Sequence, residues 1–338
     1  MARTKTPRWR YAVAAFALCL ASAAGWIVWQ LQRAPSLAPY APLDAPAAKA
    51  APTPHAVQVR FAGVSTLVFD DGHTAWMTDG FFSRPAFWQM LGTRLAPDVP
   101  RIQHGLAALG VQQLSAVVLL HTHYDHAMDA PTVAQMTGAT LIGGPSVIAL
   151  GAGADLPPQR MQVVHAHQAV QLGQFSLQFL PSRHSTTPYS SGDGAATQEI
   201  TQTLQPPQRA SAWKEGQVWS LLVSHAQGGR WLVHSSAGFA PHALQGVRAD
   251  TVFLGIGTLG KKDAVYRSAL WRETVHAVGA QRVIPIHWDN FWLPLSQPLQ
   301  AMPYLFDDMD ASMQALQTLA AADHVTLHVP PLFTAFSP

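Results

Sequence analysis

The patterned part of the chain begins at residue 57 with short stretches in which apolar and polar residues alternate. Glycine-containing turns, at Gly63 and at Asp71-Gly72, separate these stretches from one another. Alternation with a period of two is typical of strands with one buried face, and Asp-Gly is a frequent hairpin turn. We therefore predict an antiparallel opening made of the strands 57–61, 64–69 and 73–79.

After residue 100 the pattern changes to apolar runs of strand length that alternate with segments of helical periodicity. The predicted helices cover about 101–110, 129–137, 146–151, 263–279 and 307–322. The predicted strands cover about 115–120, 139–143, 161–164, 174–180, 217–225, 230–234, 251–254 and 282–286. Residues 185–216 interrupt the alternation because they are rich in Ser, Thr, Gly, Gln and Pro, which predicts a long mobile lid or insertion. The order of elements indicates an α/β domain over residues 57–338, built from two half-domains.

An uncharged apolar segment precedes this domain. Residues 11–31 carry no charge, and as a helix they would span roughly 30 Å, the thickness of a bilayer core. Basic residues lie before the segment and almost none directly after it, which places a tail of residues 1–10 in the cytoplasm and the domain outside. We therefore predict a single-pass anchor of a bacterial inner membrane with a periplasmic domain.

A cleaved signal peptide is the alternative interpretation of this segment. Ala21-Ser22-Ala23 has the small-residue pattern of a cleavage site. The apolar run continues past that site through Trp29, which favours an anchor that is retained. Residues 32–56 are dominated by Ala and Pro, a composition that predicts an extended linker without a core.

Composition excludes several classes of function. Hydrophobic residues make up 48% of the 338 residues, so the chain can bury a substantial core. The first ten residues hold four basic side chains and no acid, and removing these four from the 21 basic residues leaves 17 against 19 acidic residues. A slightly acidic body lacks the basic surface that nucleic-acid binding requires. The single cysteine, Cys19, excludes an intramolecular disulfide and a cysteine-based zinc site.

A dense group of potential metal ligands follows the apolar run 114–120. His121, His123, Asp125 and His126 lie within six consecutive positions, at the end of a predicted buried strand, where several side chains can turn toward one point. Imidazole and carboxylate are the ligands that zinc and similar ions prefer. The sequence therefore predicts a metal site built from His and Asp.

The chain resembles the metallo-β-lactamase-fold superfamily of metallo-hydrolases over residues 57–338. The resemblance depends on His121-Thr-His-Tyr-Asp-His126, on Pro181-Ser-Arg-His184, on Trp231-Leu-Val-His-Ser-Ser-Ala-Gly-Phe239 and on Ile284-Pro-Ile-His287-Trp288. It implies an αββα four-layer sandwich. It also implies one metal held by His121, His123 and His184, and a second held by Asp125, His126 and His287. Zinc is the expected metal, with manganese or iron as alternatives.

One position departs from the usual pattern of that family. Most dinuclear members have an Asp that bridges the two metals where this chain has Ser236, so the resemblance implies a weakened second site. His234, two residues earlier, is a candidate substitute ligand. Asp125 would orient the attacking water as a catalytic residue, and Asp79 is a candidate partner that holds a ligand histidine.

The expected reaction is metal-dependent hydrolysis of an ester, a lactone or a phosphodiester. Aromatic residues near 81–88 and 288–292 indicate a partly apolar substrate, and a membrane anchor would suit a lipid-like one. Candidate substrate-binding residues are Arg84, Arg183, Lys261 and Trp288. The setting of His184, Ser-Arg-His-Ser-Thr, disfavours a β-lactam substrate.

Two other interpretations remain open from the sequence. Gly255-Ile-Gly257-Thr-Leu-Gly260 follows a predicted strand and has the outline of a dinucleotide-binding turn, which would indicate an NAD-dependent oxidoreductase. Against it, Asp289 lies farther from Gly255 than the usual ribose-binding acid, and no second half-domain of this kind follows. The missing bridging carboxylate would also suit a non-catalytic domain, or one that binds a single metal.

Overall fold

A six-stranded sheet forms the first half of the domain. The structure, a computed structural model, describes residues 8–47, 56–186 and 198–338. The first three strands are antiparallel neighbours, which confirms the predicted opening, and the following strands join in parallel. In spatial order the strands are β1 (Gln58–Phe61), β2 (Leu67–Asp70), β3 (Ala75–Thr78), β4 (Ala116–Val118), β5 (Thr140–Gly143) and β6 (Met161–Val163).

A seven-stranded sheet forms the second half. Neighbours in sequence are also neighbours in space throughout this sheet. Its strands are β7 (Ala169–Leu172), β8 (Phe175–Pro181), β9 (Trp219–His225), β10 (Arg230–His234), β11 (Thr251–Gly255), β12 (Arg282–Ile286) and β13 (Thr326–Leu327). The strands from β10 to β13 are parallel, so the carboxyl ends of β10, β11 and β12 meet at one edge.

The two sheets face each other across a core of aromatic and branched side chains. The Phe69 ring stacks on Trp76 in its own sheet at 4.6 Å and meets the edge of Phe253 in the other sheet at 5.7 Å. Side chains alternate along 116–120, because Val118 and Leu120 enter this core while Val117 and Leu119 enter a second cluster beneath the helices. This alternation produces the predicted four-layer order of helix, sheet, sheet and helix.

The helices begin where the sequence places capping residues. Asp98, Asp263 and Asp308 each accept a hydrogen bond from a backbone N–H in the first turn of α3, α7 and α8. The helices are α1 (Arg8–Gln32), α2 (Phe87–Gly92), α3 (Val99–Ala108), α4 (Tyr124–Ala127), α5 (Ala130–Thr137), α6 (Ser146–Ala152), α7 (Ala264–Trp271) and α8 (Met309–Asp323).

Helix α1 lies outside the domain. Residues Trp9–Gln32 form a helix long and apolar enough to cross a membrane, and no part of its apolar window is buried in the protein. At its carboxyl end the backbone oxygen of Arg33 accepts a hydrogen bond from Tyr304 N at 2.9 Å. The helix is therefore attached to the domain near residue 304.

The extended conformation expected for the linker is not found in residues 38–45, which follow the helix. Residues 38–43 form a 3₁₀ turn, and Tyr40 and Ala45 are buried in the core between the sheets. The Tyr40 hydroxyl donates to Asp310 at 2.6 Å, and Ala47 pairs with Phe336. A segment rich in Ala and Pro cannot form a core of its own, but this segment packs on the core of the domain. Residues 48–55 of the predicted linker, and most of the predicted cytoplasmic tail, lie outside the described residues.

The predicted mobile loop is fixed in its described part. Glu199 accepts hydrogen bonds from Gln217 N at 2.8 Å and from Ser146 N at 3.0 Å, and Leu95 pairs with Gln208. Trp213 is buried. Residues 198–216 therefore form a wall of the domain, while 187–197 lie outside the described residues.

Candidate metal centre

The His-rich motif occupies the turn after β4, and the neighbouring chain fixes its shape. Thr122 N donates to Glu215 O at 2.8 Å, and the Thr122 hydroxyl donates to Lys214 O at 2.6 Å. The single turn of α4 then directs Asp125 and His126 into the domain, where both are buried. The potential ligands within positions 121–126 thus converge on one region.

His121, His123 and His184 form the first group of ligands. Each offers a ring nitrogen, and these atoms lie within 4.8 Å of one another. His121 Nε2 is buried without a hydrogen-bond partner. His184 Nδ1 lies 2.8 Å from Ser185 O and is therefore the protonated nitrogen, which leaves Nε2 with a free lone pair.

Burial keeps this first group neutral. It lowers the pKa of His123 to about 4 and that of His184 to about 3, and it lowers the pKa of His121 well below its usual value, with the neighbouring histidines adding to the effect. Neutral imidazole is the form that binds a metal, so these donors fit a divalent transition metal ion.

Asp125, His126 and His287 form the second group, again with ligand atoms within 4.8 Å of one another. His126 Nε2 is 3.2 Å from His287 Nε2, and Asp125 Oδ2 is 3.4 Å from His287 Nε2. Burial alone would raise the pKa of Asp125, but His126 and His287 outweigh it and hold the pKa below its usual range. Asp125 is therefore an anion, which suits both metal binding and proton transfer.

Asp79 fixes the orientation of His126. Its Oδ2 lies 2.7 Å from His126 Nδ1 and accepts from the Ser65 hydroxyl at 2.5 Å, while its Oδ1 accepts from Leu120 N at 3.2 Å. With Nδ1–H bound to Asp79, the Nε2 lone pair of His126 faces the second group. The acids outweigh the effect of burial, and Asp125 and Asp79 raise the pKa of His126 above its usual value.

The backbone is strained at two of these positions. Asp79 and His287 have positive φ angles, 56° and 60°, which cost free energy for residues with a Cβ. His287 is held there because its N–H donates to Val64 O at 2.7 Å. Gly257 packs against it, and a Cβ at that position would lie 3.0 Å from His287 Nδ1.

Neither of the two candidate bridging residues is free to bridge metals. The Ser236 hydroxyl accepts hydrogen bonds from Ser185 N at 3.0 Å and Gly238 N at 3.3 Å. His234 uses both ring nitrogens, one against the Ser220 hydroxyl at 2.7 Å and the other against Gly238 O at 2.5 Å. The expectation that His234 substitutes as a ligand is contradicted by these contacts.

Two of the predicted substrate-binding residues are structural instead. Arg84 is fully buried and forms an ion pair with Asp289, and its second amino group donates to Leu293 O at 3.1 Å. Trp288 is buried in the core between the sheets and donates to Pro285 O at 3.1 Å. Both predictions are wrong, because buried partners take the polar groups: residues far along the chain for Arg84, and the nearby Pro285 for Trp288.

The other two predicted cations do not line the cavity described below. Arg183 is exposed, and Lys261 donates to Tyr304 O at 2.6 Å. His184, next to Arg183, and Thr258, three residues before Lys261, do line that cavity. The cation that does so is Lys214, which the sequence did not single out because it lies in the polar segment 185–216.

A cavity of about 680 Å³ opens above the two ligand groups. His123, Asp125, His184 and His287 contribute to its lining, which leaves these donors accessible. Much of the remaining wall is aromatic or apolar and includes Tyr124, Trp213, Phe291, Trp292, Met302 and Phe306. The volume suits a small organic molecule. The aromatic run near residue 291 is a feature of the sequence that indicates this wall, whereas no feature of the sequence indicates Phe306.

The glycine-rich turn does not form a dinucleotide site. The N–H groups of Thr258 and Gly260, which would face a phosphate, donate to the buried carboxylate of Asp307 at 2.9 and 3.1 Å. Gly255 is needed because a Cβ there would lie 2.4 Å from the backbone of Ser235. Asp289, already too distant in sequence for the usual ribose acid, is paired with Arg84. Packing explains these glycines, and the structure provides no free phosphate cradle in this turn.

Comparison with known proteins identifies relatives of this fold. A family model described as the beta-lactamase superfamily domain matches residues 86–288. No curated protein sequence matches the chain. Similar solved structures include a possible metal-dependent hydrolase from Veillonella parvula, with 14% identity, a TM-score of 0.52, and coverage of 84% of this chain and 100% of the other. An isothiocyanate hydrolase from Delia radicum gut bacteria has 13% identity, a TM-score of 0.51, and coverage of 83% and 100%.

A third similar structure is that of a hydroxylase rather than a hydrolase. CmlA, a diiron β-hydroxylase from Streptomyces venezuelae, has 12% identity and a TM-score of 0.52, with 85% of this chain aligned to 55% of that chain. Identities this low establish the shared fold alone. Solved structures of this fold thus include a diiron hydroxylase as well as hydrolases.

Proposed function

The chain belongs to the β-lactamase superfamily, and on that premise we propose that it is a metal-dependent hydrolase that acts on an ester, a lactone or a phosphodiester. The proposed metal is zinc, with manganese or iron as alternatives. The proposed ligands are the six residues of the two groups, and the proposed catalytic residue is Asp125. The proposed catalytic domain covers residues 57–338 and lies in the periplasm. Before it come a proposed tail of residues 1–10, a proposed anchor of residues 11–31 and a proposed linker of residues 32–56.

The observation that carries this proposal is the placement of two three-ligand groups at the wall of one cavity. Each group by itself would be a weak indication, because histidines also pack structurally. His121 Nε2, however, is buried with no hydrogen-bond partner, and the facing Nε2 atoms of His126 and His287 lie 3.2 Å apart. Buried polar atoms rarely lack a partner, and one cation in each group would satisfy these three.

Divalent metals bound by such ligands acidify a coordinated water and polarise a carbonyl or phosphoryl oxygen. Asp125, as a carboxylate, would accept a hydrogen bond from the attacking water and take its proton. Tyr124 lines the cavity, and burial raises its pKa well above the usual value. Its hydroxyl therefore keeps its proton and can donate a hydrogen bond to the substrate, while Trp292 Nε1 donates to the same oxygen at 3.3 Å.

We propose that the second group binds its metal more weakly than the first. Ser236 is hydrogen-bonded to backbone and contributes no negative charge. Asp125 is then the only anionic ligand among the six proposed residues. Occupancy of the second group would accordingly depend on the orientation that Asp79 imposes on His126.

Elemental analysis of the purified protein tests the proposal directly. The H121A/H123A variant is expected to lose the metal of the first group, together with hydrolysis of a panel of phosphodiesters, lactones, thioesters and esters. The control is H104A/H165A, which removes two exposed histidines and should retain both metal and activity. Full metal occupancy without hydrolysis of any compound in the panel would contradict the catalytic claim.

A further inference from the structure

Helix α2 exposes a pair of large apolar side chains to solvent. Trp88 is 65% exposed and Leu91 is 72% exposed, and we call these two residues the α2 patch. The chain from 85 to 97 contains no acidic residue, and Arg94 nearby is exposed. A tryptophan beside aliphatic and basic side chains is the composition that favours a membrane interface.

The α2 patch adjoins the aromatic wall of the cavity. Phe87, the first residue of α2, packs its ring 4.8 Å from Trp292 and 5.0 Å from Phe306, both of which line the cavity. Beyond the helix, Leu95 pairs with Gln208, two residues before the cavity-lining Ala210. Helix α2 therefore lies between two walls of the cavity.

The end of α1 reaches the same part of the molecule. Arg33 stacks its guanidinium 4.4 Å above the Trp29 ring and lies 5.6 Å from the Tyr304 ring. Its backbone oxygen accepts from Tyr304 N, and Tyr304 precedes Phe306 by two residues. The apolar helix, the cavity wall and the α2 patch are thus linked by the contacts of Arg33 and Phe87 and by two short stretches of chain.

We propose that the α2 patch rests on the bilayer and that the cavity accepts an amphiphilic ester, one with a long apolar chain, directly from the membrane. The inference rests on the proposed function for its reaction and deepens it by naming the substrate class. The bilayer is the occupant that the contacts favour, because Arg33, directly after a helix able to span it, binds Tyr304, two residues from the cavity-lining Phe306. A protein that covers the patch would be the other occupant.

An environment-sensitive label tests the membrane contact without any turnover. Cys19 is the only cysteine of the chain, so C19S/L91C carries one attachment site for a nitrobenzoxadiazole label. The full chain is reconstituted in phosphatidylcholine vesicles with brominated acyl chains. Quenching should be several-fold stronger at position 91 than in C19S/I148C, whose label replaces Ile148, a 45% exposed residue of α6. Equal quenching at the two positions, as expected for a patch covered by protein or water, would overturn the proposal.

The route of the substrate is tested with para-nitrophenyl palmitate in vesicles. We expect hydrolysis to be at least about tenfold faster when the ester shares a vesicle with the protein than when it is in separate vesicles, because of the higher effective concentration. The W88S/L91S variant should lose this advantage and keep its activity on soluble para-nitrophenyl acetate. The matched control M136S/I148S removes two exposed apolar residues elsewhere and should keep both activities.

The failures of the two proposals are distinguishable. Equal rates on both vesicle populations, with hydrolysis of the acetate, would overturn the membrane route and leave the hydrolase function standing. Hydrolysis of neither ester at full metal occupancy would remove the support for ester hydrolysis and for an ester substrate. The quenching result would then decide the membrane contact of the α2 patch by itself.

Discussion

Replacing Asp79 with Asn should weaken metal binding at the second group selectively. The carboxylate accepts hydrogen bonds on both oxygens, from Leu120 N on one and from His126 Nδ1 and the Ser65 hydroxyl on the other. The Asn amide has the same shape, but it has one oxygen that accepts hydrogen bonds and one NH₂ group that donates them. Either Leu120 N–H or His126 Nδ1–H must then face an NH₂ group.

The size of the effect follows from these contacts. If the NH₂ group faces His126, the ring shifts its proton to Nε2, which removes the lone pair that the second group needs. Loss of such a partner typically lowers metal affinity about 10- to 100-fold, or about 1.4 to 2.7 kcal/mol. The first group does not contact Asp79 and should keep its affinity.

The assay is the number of metal ions per chain during titration against a competing chelator. The control is D71N, since Asp71 also forms a buried pair with a histidine, His225 at 3.1 Å, away from the metal groups. D71N should lower the free energy of unfolding and leave both metal affinities unchanged. Equal metal affinities in D79N and the wild type, or the same loss in D71N, would refute the assigned role of Asp79.

Three further substitutions give separate predictions. G257A should reduce activity about tenfold or more, because its Cβ would lie 3.0 Å from His287 Nδ1 and displace that ring; metal content and kcat measure the effect. R84M should lower the free energy of unfolding by about 3 to 5 kcal/mol, because it leaves Asp289 as an unpaired buried charge; urea unfolding measures this loss. Burial lowers the pKa of His234 to about 4, so the native state excludes a proton that the unfolded chain binds below about pH 6.5. The stability advantage of the wild type over H234Q should therefore shrink as the pH falls from 6.5 toward 4, by up to about 1.4 kcal/mol per pH unit.

Each of these predictions has its own control or contrary outcome. G92A adds a Cβ where no atom lies within 4 Å and should leave metal content unchanged. For R84M, a normal unfolding free energy with a raised KM for anionic substrates would restore Arg84 as a substrate-binding residue, and R84M/D289N should regain part of the stability. For H234Q, a difference in unfolding free energy that stays constant with pH would show that His234 is not held neutral.

The sequence predicts the fold well where the physical signal is local. Alternation along 116–120 directs successive side chains to two different clusters, and this requires only the period of a strand. The position of the motif after a buried strand predicts that His121 to His126 converge, and His287 at the end of β12 follows the same rule. Geometry brings all six predicted ligands together; their role as ligands remains a proposal.

The sequence fails where a distant partner decides the outcome. Arg84 has a side chain that can bind an anion, and only the fold reveals that Asp289 neutralises its charge. The rule that alternate residues share a face suggested that His234 joins Ser236, but β10 ends at His234 and the chain turns beyond it. Tyr40 lies in an Ala/Pro-rich segment, and its burial depends on a surface formed by α8 and the strands.

The pairing of β1 with residues near 336 also protects the sheet from other chains. Val59 and Phe336 exchange backbone hydrogen bonds at 2.9 Å, and Phe333 N donates to Phe61 O at 2.8 Å. Without this cover β1 would be an open edge with unpaired N–H and C=O groups, a template for intermolecular pairing. Damage to the 332–336 segment should therefore cause aggregation before it affects the two groups of metal ligands.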